Sequence, residues 1–415
     1  MRAAHAPSRL MFTALLGAST YMVCGTAMAA SPLVYVANNG SDVAACGAQT
    51  RPCRSITRAM ANAASGSIIV VGPGRYGDLN GDGKFDVPGE EQPQNREYSA
   101  PSGGPPVTLN CVVCIVKPIQ IVSSYGAEAT VIDAGNAPYN VVEIVAPNVT
   151  FGDVGKGFSL IRAGTDGAGD GGDGLYLLAG PARIKGNIAT ANTACGFDLI
   201  PGGESFYGHP SNSLGGNVTA SNDTAMANGC GIRLESYSST VEMSNATSIA
   251  NTGFGMMVAG TGAHVLTASR VSGNGLGVIL SGGPFQVTHN IVSGNNTFGF
   301  SFGDRLEAER VTTTLSLNDI VGNAVGISAS QNTRAGLKVN KNNIYGNGTD
   351  GSNCGITVAQ TSADARNNYW GAATGPGIDP ADQVGEEPLC NGTIPNNDAG
   401  LPVTAPFSKD PIVIN

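Results

Sequence analysis

The sequence contains few charged residues, few aromatic residues and few basic ones. Of its 415 residues, 13% are charged and 6% are aromatic, with one tryptophan, whereas an average domain is about 25% charged. Lys and Arg together number 22 against 31 Asp and Glu, which gives a formal charge of -9 at pH 7. Nucleic acids and anionic membranes attract basic surfaces, so this charge argues against both as partners.

Long apolar runs are also missing after the first 30 residues. No later stretch approaches the roughly 18 apolar residues of a membrane-spanning helix, and we expect no membrane insertion. The chain is instead rich in glycine, with 59, and it has 23 prolines and 41% hydrophobic residues. The glycines lack the period of three found in collagen, and the apolar content is too high for disorder. A packed fold with many turns remains, and a helical bundle is excluded.

The first 30 residues have the organisation of a signal peptide. They begin with Arg2 and Arg9, continue through an apolar stretch from Met11 to Gly25 and end in Ala27-Met28-Ala29. A basic start, an apolar middle and a small-residue end are typical of a cleaved secretory signal. We therefore predict a protein that is secreted, periplasmic or at the cell surface.

Eight cysteines follow the predicted signal peptide, and they fall into close sequence pairs. The pairs are Cys46/Cys53, Cys111/Cys114, Cys195/Cys230 and Cys354/Cys390. An even number in an oxidising compartment predicts four disulfides, although spacing alone does not determine the connectivity. The Cys-x-x-Cys spacing at Cys111 favours a structural disulfide, with redox or metal chemistry as the alternative.

A repeat with a basal period near 22 residues organises the chain from Gly174 onwards. Each unit opens with Gly, an apolar residue, any residue and another apolar residue, at Gly174, Gly196, Gly231, Gly255, Gly277, Gly299, Gly326 and Gly355. Short stretches within the units alternate apolar and polar residues, as half-buried strands do. Insertions at discrete points within a constant period are typical of a solenoid. The pattern predicts short parallel strands wound into about ten coils.

Most of these units place an asparagine a few residues before the next glycine. The positions are Asn192, Asn228, Asn251, Asn274, Asn295 and Asn323. Stacked coils would align their amides in a ladder in which each amide bonds to the next coil. We also expect left-handed backbone geometry at this corner, which Asn tolerates.

Four motifs carry a resemblance to a known family. They are Val34-Tyr-Val-Ala-Asn-Asn-Gly-Ser-Asp42, Arg51-Pro-Cys-Arg-Ser-Ile-Thr57, Ile68-Ile-Val-Val-Gly-Pro-Gly-Arg-Tyr76 and Asn367-Asn-Tyr-Trp-Gly371. With them, most of the mature chain resembles the secreted right-handed parallel β-helix proteins of the pectate-lyase-like superfamily. The resemblance implies an all-β, right-handed, single-stranded parallel β-helix. It does not specify an activity.

The segment between the entry motifs predicts an amphipathic helix over Ser55 to Ala64. Ser55 is a good N-cap, the apolar residues recur at helical spacing, and Gly66 follows the last turn. Such a helix can close the open end of the coil stack, which argues against end-to-end association and favours a monomer. The predicted organisation is a signal peptide at 1–30, a β-helix domain at 31–390 with an insertion at 77–100, and an irregular tail at 391–415.

The insertion contains most of a calcium-binding loop. Oxygen ligands stand at positions 1, 3, 5, 7 and 9, provided by Asp78, Asn80, Asp82, the Lys84 carbonyl and Asp86. Position 12 holds Gly89 in place of Glu, and Glu90 or Glu91 could supply that carboxylate. We predict Ca²⁺ binding, with an ordinary acidic turn as the alternative. A second acidic stretch with Asp166, Asp170 and Asp173 favours a solvated turn over a second Ca²⁺ site.

Strict alternation within the repeated strand would direct two rows of side chains outwards. The second residues after each glycine are Tyr176, Asp198, Arg233, Met257, Ile279, Ser301, Ser328 and Thr357. Two residues further on are Leu178, Ile200, Glu235, Ala259, Ser281, Gly303, Ser330 and Ala359. Chemically capable side chains gather in the coils from 174 to 235, which also carry an insertion with Tyr207 and His209. We predict a site there for an extended polysaccharide.

Two catalytic schemes fit this predicted site. Arg233 could stabilise an enolate while His209 or Tyr207 removes a proton beside a uronate carboxylate, which would make the protein a lyase. Alternatively, Asp198 and Glu235 could act as the carboxyl pair of an inverting glycosidase. The non-catalytic interpretation is a surface ion pair between Asp198 and Arg233.

The favoured function is binding and cleavage of a uronate-containing extracellular polysaccharide, with elimination ahead of hydrolysis and Tyr176 included in the site. The net negative charge speaks against a polyanionic substrate unless Ca²⁺ or a local arginine offsets it. The alternative is a non-catalytic carbohydrate-binding, adhesin-like or structural solenoid.

Overall fold

A computed structural model describes most of the chain after the predicted signal peptide. The described residues are 31–99, 106–166, 171–202, 215–236, 239–302, 313–329, 337–348, 352–358, 363–386, 390 and 402–414. Residues 32–415 form one compact unit, and the predicted signal peptide lies outside the described residues. No helix among the described residues is long and apolar enough to cross a membrane.

The described residues contain one α-helix, α1 (Ile56–Asn62), and 34 strands. The first seventeen strands are β1 (Leu33–Val36), β2 (Ile68–Val71), β3 (Gly74–Gly77), β4 (Gln94–Tyr98), β5 (Val107–Ile115), β6 (Gln120–Ser123), β7 (Thr130–Asp133), β8 (Asn140–Ile144), β9 (Val149–Phe151), β10 (Ser159–Ile161), β11 (Leu175–Leu177), β12 (Ala182–Lys185), β13 (Ile188–Thr190), β14 (Cys195–Leu199), β15 (Val218–Ser221), β16 (Thr224–Met226) and β17 (Cys230–Glu235). The others are β18 (Val241–Ser244), β19 (Thr247–Ile249), β20 (Phe254–Gly260), β21 (His264–Thr267), β22 (Arg270–Ser272), β23 (Leu276–Gly282), β24 (Phe285–Thr288), β25 (Ile291–Ser293), β26 (Phe298–Phe302), β27 (Thr314–Ser316), β28 (Asp319–Val321), β29 (Val325–Ala329), β30 (Leu337–Asn340), β31 (Asn343–Tyr345), β32 (Cys354–Val358), β33 (Ala363–Asp364) and β34 (Gln383–Glu386).

These strands form three sheets that run the length of the molecule. Sheet 1 contains twelve strands from β1 to β33, sheet 2 ten strands from β3 to β31, and sheet 3 twelve strands from β4 to β34. From β5 to β33, successive strands along the chain visit sheets 3, 1 and 2 in turn, so each strand from β8 onwards pairs in parallel with the strand three positions before it. The single antiparallel pair among the described strands joins β4 to β5. The predicted solenoid of about ten parallel coils is therefore confirmed.

The predicted N-terminal helix is present as α1. The Ser55 hydroxyl accepts the Arg58 N–H at 3.1 Å, and the buried carboxylate of Glu91 accepts the N–H groups of Ile56 and Thr57, each at 2.7 Å. These bonds satisfy donors that a helix N-terminus leaves unpaired. Ile56, Ala59 and Met60 are buried in the main core. Since α1 contacts β1, β2 and β5, it closes the N-terminal end of the coil stack.

The predicted asparagine ladder is also confirmed. From Asn192 to Asn323, each amide oxygen accepts both the backbone N–H and the side-chain N–H of the preceding member, at 2.9 to 3.1 Å. Asn347 and Asp382 extend it by two rungs. The expected left-handed geometry belongs to the residue before each asparagine, such as Ala227 at φ 54° and Ala250 at φ 54°. The asparagines themselves do not have positive φ.

A second ladder, which the sequence reasoning missed, follows the turn between sheets 1 and 2. Its C-terminal half contains four asparagines joined in the same way, Asn290, Asn318, Asn342 and Asn368. The N-terminal half replaces the amide at three rungs, Asp223, Ala246 and Ser269: Asp223 accepts both N–H groups of Asn187, and Ser269 accepts the N–H of Ala246. Two buried hydrogen-bonded ladders therefore hold the coils in register.

All four predicted cysteine pairs are disulfides. Cys111–Cys114 spans three residues within β5, which agrees with the structural interpretation of this pair. Cys195–Cys230 joins neighbouring coils across sheet 3. Four disulfides are typical of proteins in oxidising compartments.

The C-terminal segment at 402–414 is irregular and bound to the last coil. Val403 exchanges backbone hydrogen bonds with Ala363 and Ala365, and the amide of Asn343 binds Ile412 at both its N–H and its carbonyl. Residues 391–401 lie outside the described residues. The described part of the tail therefore has the irregular structure that the sequence predicted.

Candidate functional site on sheet 3

Each strand in the middle of sheet 3 bends sharply near its start. In β17, β20, β23, β26 and β29, the first and fourth residues are partly exposed whereas the second and third are buried. A straight strand would place residues three apart on opposite faces, about 10 Å from each other. At the equivalent positions of β5, Cys111 and Cys114 have Cα atoms 5.5 Å apart and are joined by a disulfide. The two exposed side chains of a coil therefore converge.

This convergence produces a groove lined by two columns, which we call the corner groove. Its first column contains Asn140, Asp173, Cys195, Cys230, Phe254, Leu276, Phe298 and Val325. Its second column, three residues later in each coil, contains Glu143, Tyr176, Asp198, Arg233, Met257, Ile279, Ser301 and Ser328. The polar end is N-terminal, and the side chains become apolar and then small along the stack.

The glycine that opens each repeat unit lies at this bend. A side chain at Gly231 would place its Cβ 2.0 Å from the carbonyl oxygen of Gly255, and one at Gly277 would place it 2.2 Å from that of Gly299. Real Cβ atoms do not approach backbone so closely. The repeated glycine is therefore required for the coils to stack at the bend.

The bend corrects one of the two outward rows expected from strict alternation. The second residues after each glycine form the second column, as predicted. Where the structure describes them, the residues two positions further on are buried: Leu178 is 5% exposed, Ile200 and Glu235 are fully buried, and Ala259 is 2% exposed. Gly303, Ser330 and Ala359 lie outside the described residues. Glu235 therefore lies inside the coil stack and not on the surface beside Asp198. The exposed partner of the second column is the residue before each glycine.

Asp198 and Arg233 occupy adjacent rungs of the second column and form a bidentate ion pair. The Arg233 Nε donates to Asp198 Oδ1 at 2.7 Å, and Nη2 donates to Oδ2 at 2.6 Å. Their side chains are 7% and 14% exposed, respectively. Burial lowers the pKa of Arg233, but the charge and hydrogen bonds of Asp198, together with the charges of Asp173 and Glu235, hold that pKa above its ordinary value. The ion pair considered from the sequence is present, in a largely buried setting.

Asp173 and Tyr176 lie one coil before this pair. Asp173 Oδ1 accepts the Cys195 N–H at 2.8 Å, and its own N–H donates to Asn140 Oδ1 at 3.0 Å. Burial, followed by the charge of Asp198, raises the pKa of Asp173 well above its ordinary value. Burial and the same aspartate raise the pKa of Tyr176. Asp173 is 9% exposed, so it is not the solvated turn residue that the sequence favoured.

Glu143 adds a third acid that the sequence reasoning missed. It precedes Tyr176 in the second column and is 1% exposed. Its Oε2 accepts the Asn110 N–H at 2.9 Å, and within the described residues Oε1 is buried without a hydrogen-bond partner. Burial raises the pKa of Glu143 to about 7, even though the Asn110 and Asn140 hydrogen bonds act in the opposite direction. The polar end of the corner groove thus contains acids in different protonation states.

The remaining residues of the predicted site are not described. Tyr207 and His209 fall within 203–214, which lies outside the described residues, as does Asp170. Of the catalytic set predicted from the sequence, the structure brings together Tyr176, Asp198 and Arg233, and it buries Glu235 behind them.

The predicted calcium loop follows β3 of sheet 2, and its Phe85 packs against Tyr139 with ring centroids 6.0 Å apart. Asp78 is fully buried, and its two carboxylate oxygens accept the Gly81 and Gly83 N–H groups at 2.6 and 2.7 Å. Glu90 is also buried and accepts the Leu79 and Val87 N–H groups at 2.9 and 2.8 Å. The inner side of the loop is therefore organised by carboxylates, whereas Asn80, Asp82, Lys84 and Asp86 are exposed.

Calcium binding by this loop remains a prediction, because its carboxylates are not gathered around one point. Among the described residues, no three carboxylates of the loop have oxygens that all lie within 4.8 Å of one another; the one such group combines Asp42 with Cys46 and Cys53. Those two cysteines form a disulfide and are not available as ligands. A bound cation would therefore have to draw the exposed oxygens of Asp82 and Asp86 inwards towards Asp78.

His264 is a structural residue of β21, with both ring nitrogens in contact with the backbone. Its Nδ1 accepts the Val241 N–H at 3.1 Å, and its Nε2 lies 3.2 Å from the Ser236 carbonyl oxygen. Burial lowers its pKa. Because Nδ1 accepts a hydrogen bond, the fold requires the neutral imidazole.

Comparison with protein families agrees with this architecture. The model described as "Right handed beta helix region" matches residues 213–369, and that described as "Protein of unknown function (DUF1565)" matches residues 38–87. The chain is a right-handed parallel β-helix. The handedness implied by the sequence resemblance is thereby confirmed, and no curated protein matches the chain in sequence.

Solved structures with similar architecture are distant in sequence. A rhamnogalacturonan lyase has a TM-score of 0.50 at 12% identity, covering 91% of this chain and 88% of its own. A pectate lyase has a TM-score of 0.47 at 16% identity, covering 83% and 77%. The A-module of a mannuronan C-5 epimerase from Azotobacter vinelandii has a TM-score of 0.44 at 13% identity, covering 74% of each chain. Identities this low bear on the fold alone.

Proposed function

We propose that the chain is an exported protein that binds a polysaccharide in the corner groove and cleaves it at the polar end. The observation that carries this proposal is the contiguous set of Glu143, Asp173, Tyr176, Asp198 and Arg233 in successive coils. Coils about 4.8 Å apart present these groups along a line, which suits an extended ligand. The rhamnogalacturonan lyase that shares the fold acts on a polysaccharide and suggests the class to test first.

The protonation states favour hydrolysis over elimination. Hydrolysis of a glycosidic bond needs one protonated carboxyl to protonate the leaving oxygen and one carboxylate to accept a proton from the attacking water. Burial raises the pKa of Asp173, which favours the role of proton donor, whereas the two hydrogen bonds from Arg233 to Asp198 favour the carboxylate form. Two carboxyl groups with separated pKa values are the arrangement that such chemistry uses.

Elimination remains the second route, and it differs from hydrolysis in what Arg233 must do. Removing the proton beside a uronate carboxylate requires an uncompensated cation near the enolate that forms. Asp198 already occupies the guanidinium with two hydrogen bonds. An incoming uronate would have to compete with Asp198 for Arg233, or a Ca²⁺ ion would have to supply the charge.

A non-catalytic glycan-binding function is the alternative to cleavage. Glu143 and Asp173 are 1% and 9% exposed, so Tyr176 and Arg233 are the polar side chains of this cluster most open to a ligand. A partly exposed tyrosine and an arginine are suited to contacts with sugars. In that case the buried acids would serve to position these two residues.

The test is to incubate the mature protein with uronate-containing and neutral polysaccharides at pH 5 and pH 8. Reducing ends report any cleavage, and ultraviolet absorbance of unsaturated products reports elimination alone. We expect reducing ends without absorbance, with loss of turnover in Asp173→Asn and no loss in the exposed control Glu242→Gln. Absorbance rising with reducing ends would replace hydrolysis by elimination. Binding without either signal would make the protein a glycan-binding solenoid.

A further inference from the structure

The corner groove changes character beyond Arg233. In the next four coils its two columns contain Phe254 with Met257, Leu276 with Ile279, Phe298 with Ser301, and Val325 with Ser328. All eight side chains are partly exposed. None of them is charged, and the described residues of strands β20, β23, β26 and β29 contain no charged side chain at all. We call this part the uncharged stretch.

The uncharged stretch is continuous with the polar end of the groove. Arg233 pairs in register with Met257, which pairs with Ile279, which pairs with Ser301. An extended chain that occupies the polar end and continues along the coils must therefore cross it. This argument rests on the proposed function, because it assumes that the groove holds a polysaccharide.

The chemistry of this surface restricts which polysaccharide fits. An ionised carboxylate placed against Phe254, Met257, Leu276 or Ile279 would lose hydration without gaining a cation or a hydrogen-bond donor from these side chains. An ester or acetyl group, or the apolar face of a neutral sugar, would instead bury apolar area there. At the end of the stretch, Arg233 is already paired with Asp198 through two hydrogen bonds, so its charge is compensated before a ligand carboxylate arrives.

We infer that the substrate is a neutral or esterified glycan, and not a free polyuronate, where it crosses the uncharged stretch. This inference narrows the uronate-containing substrate expected from the sequence. It also agrees with the formal charge of -9 on the chain, which would repel a polyanion over longer distances.

The test compares matched ligands that differ only in charge. Binding is measured by calorimetry at pH 7 for a polyuronate and its methyl ester, and for a neutral glycan with and without acetyl groups. We expect the methyl ester to bind at least about tenfold more tightly than the free acid, a difference of about 1.4 kcal/mol. Equal or tighter binding of the free acid by the native protein overturns the inference.

Two variants locate this preference in the groove. Ile279→Lys and Ser301→Lys each place a cation in the uncharged stretch, and we expect both to reduce or reverse the preference for the ester. Ile291→Lys is the matched control, because Ile291 is 39% exposed on sheet 2. Ser301→Lys removes little apolar area, so it keeps the test valid if Ile279→Lys does not fold. An unchanged preference in both folded groove variants overturns the inference.

The outcome for the proposed function is read separately. Selective binding of the ester without any cleavage would refute the catalytic proposal and leave the inference standing. Cleavage of both forms with equal affinity would refute the inference and leave catalysis standing. Absence of binding to every ligand would overturn both.

Discussion

Arg233 holds the carboxylate of Asp198 through two hydrogen bonds between adjacent coils, with N–O distances of 2.7 and 2.6 Å. The two residues pair in register on β14 and β17, 35 positions apart in the sequence. The bidentate geometry is strong because the planar guanidinium matches both carboxylate oxygens. The pair therefore places an ion pair beside the buried Asp173, whose pKa is raised by burial and by the charge of Asp198.

Removing one partner should cost more than removing both. Arg233→Met leaves Asp198 buried without its cation, and we expect a loss of about 3 kcal/mol in the free energy of unfolding. Asp198→Asn in the Arg233→Met background removes the stranded charge and should recover more than half of that loss. Urea unfolding of the two single variants and the double variant measures the coupling. Additive losses in this cycle would show that the ion pair has no energetic role.

The coil architecture was readable from the sequence because its causes are local and repeated. Glycine recurs at Gly231 and its equivalents because any Cβ at the bend would collide with the next coil. Asparagine recurs along the ladder that begins at Asn192 because each coil needs the same amide. The even number of cysteines predicted four disulfides, although their spacing did not determine which cysteines pair. Each of these features follows from the stacking of one unit on the next.

The sequence predicted only some of the residues that form the site, because the bend in each strand changes which side chains face outwards. Strict alternation through the glycine predicts that Glu235 is exposed. It assigns neither Asp173 nor Glu143 to the site. The neglected signal was that Cys195 and Cys230 both stand immediately before a glycine and can bond only if that position shares a face. The carboxylate of Glu91 caps the N-terminus of α1 by accepting the N–H groups of Ile56 and Thr57, which are 35 and 34 positions away in the sequence. No local pattern predicts so distant a contact.

Asp223 should make the stability of the fold depend on pH. Its Oδ1 accepts two N–H groups of Asn187, but within the described residues Oδ2 is buried without a hydrogen-bond partner. Burial raises its pKa from 3.8 to about 7. The folded state therefore keeps a proton that the unfolded chain has lost, so this group's contribution to stability falls as the pH rises from about 4 to 7.

Asp223→Asn should remove that dependence. Other ladder asparagines use Nδ2 to donate to a carbonyl of the preceding coil, as Asn228 does to Ala189 at 3.0 Å, and an amide at 223 can do the same. We expect a gain of about 1 to 3 kcal/mol at pH 8 and little change at pH 4. Denaturant unfolding at both pH values, with the exposed Asp379→Asn as control, provides the measurement. A gain that is equal at both pH values would contradict the proposed titration of Asp223.

Calcium should stabilise the protein through the loop from Asp78 to Glu90. A cation that binds the folded state at a hundredfold excess over its Kd adds about 2.7 kcal/mol to the free energy of unfolding. Asp82→Asn should abolish the added stability while changing the metal-free protein little, because Asp82 is exposed. Thermal unfolding with Ca²⁺ and with chelator, using the exposed Asp410→Asn as control, measures this. Equal melting temperatures of the native protein in both conditions would leave the segment an acidic turn.

The asparagine ladder should be highly sensitive to substitution in its middle. Asn274 Oδ1 accepts the backbone and side-chain N–H groups of Asn251 at 3.0 and 2.9 Å, and its own Nδ2 donates to Ser248 and Asn295 at 3.1 Å. Asn274→Ala would leave the backbone N–H of Asn251 buried without its acceptor, since Asn251 is 2% exposed. The side-chain amide of Asn251 would keep its hydrogen bonds to Ala225 and Ser248.

We expect Asn274→Ala to lower the free energy of unfolding by about 2 to 4 kcal/mol, since unpaired buried polar groups bear the full cost of lost hydration. The partly exposed Ser272→Ala on the same coil should change it by less than about 0.5 kcal/mol. Chemical unfolding compares the two variants, and hydrogen exchange at the Asn251 amide reports whether the damage is local. Normal protection of that amide in Asn274→Ala would mean that water or a shifted neighbour replaces the lost acceptor, and the ladder would then align the coils without contributing to their stability.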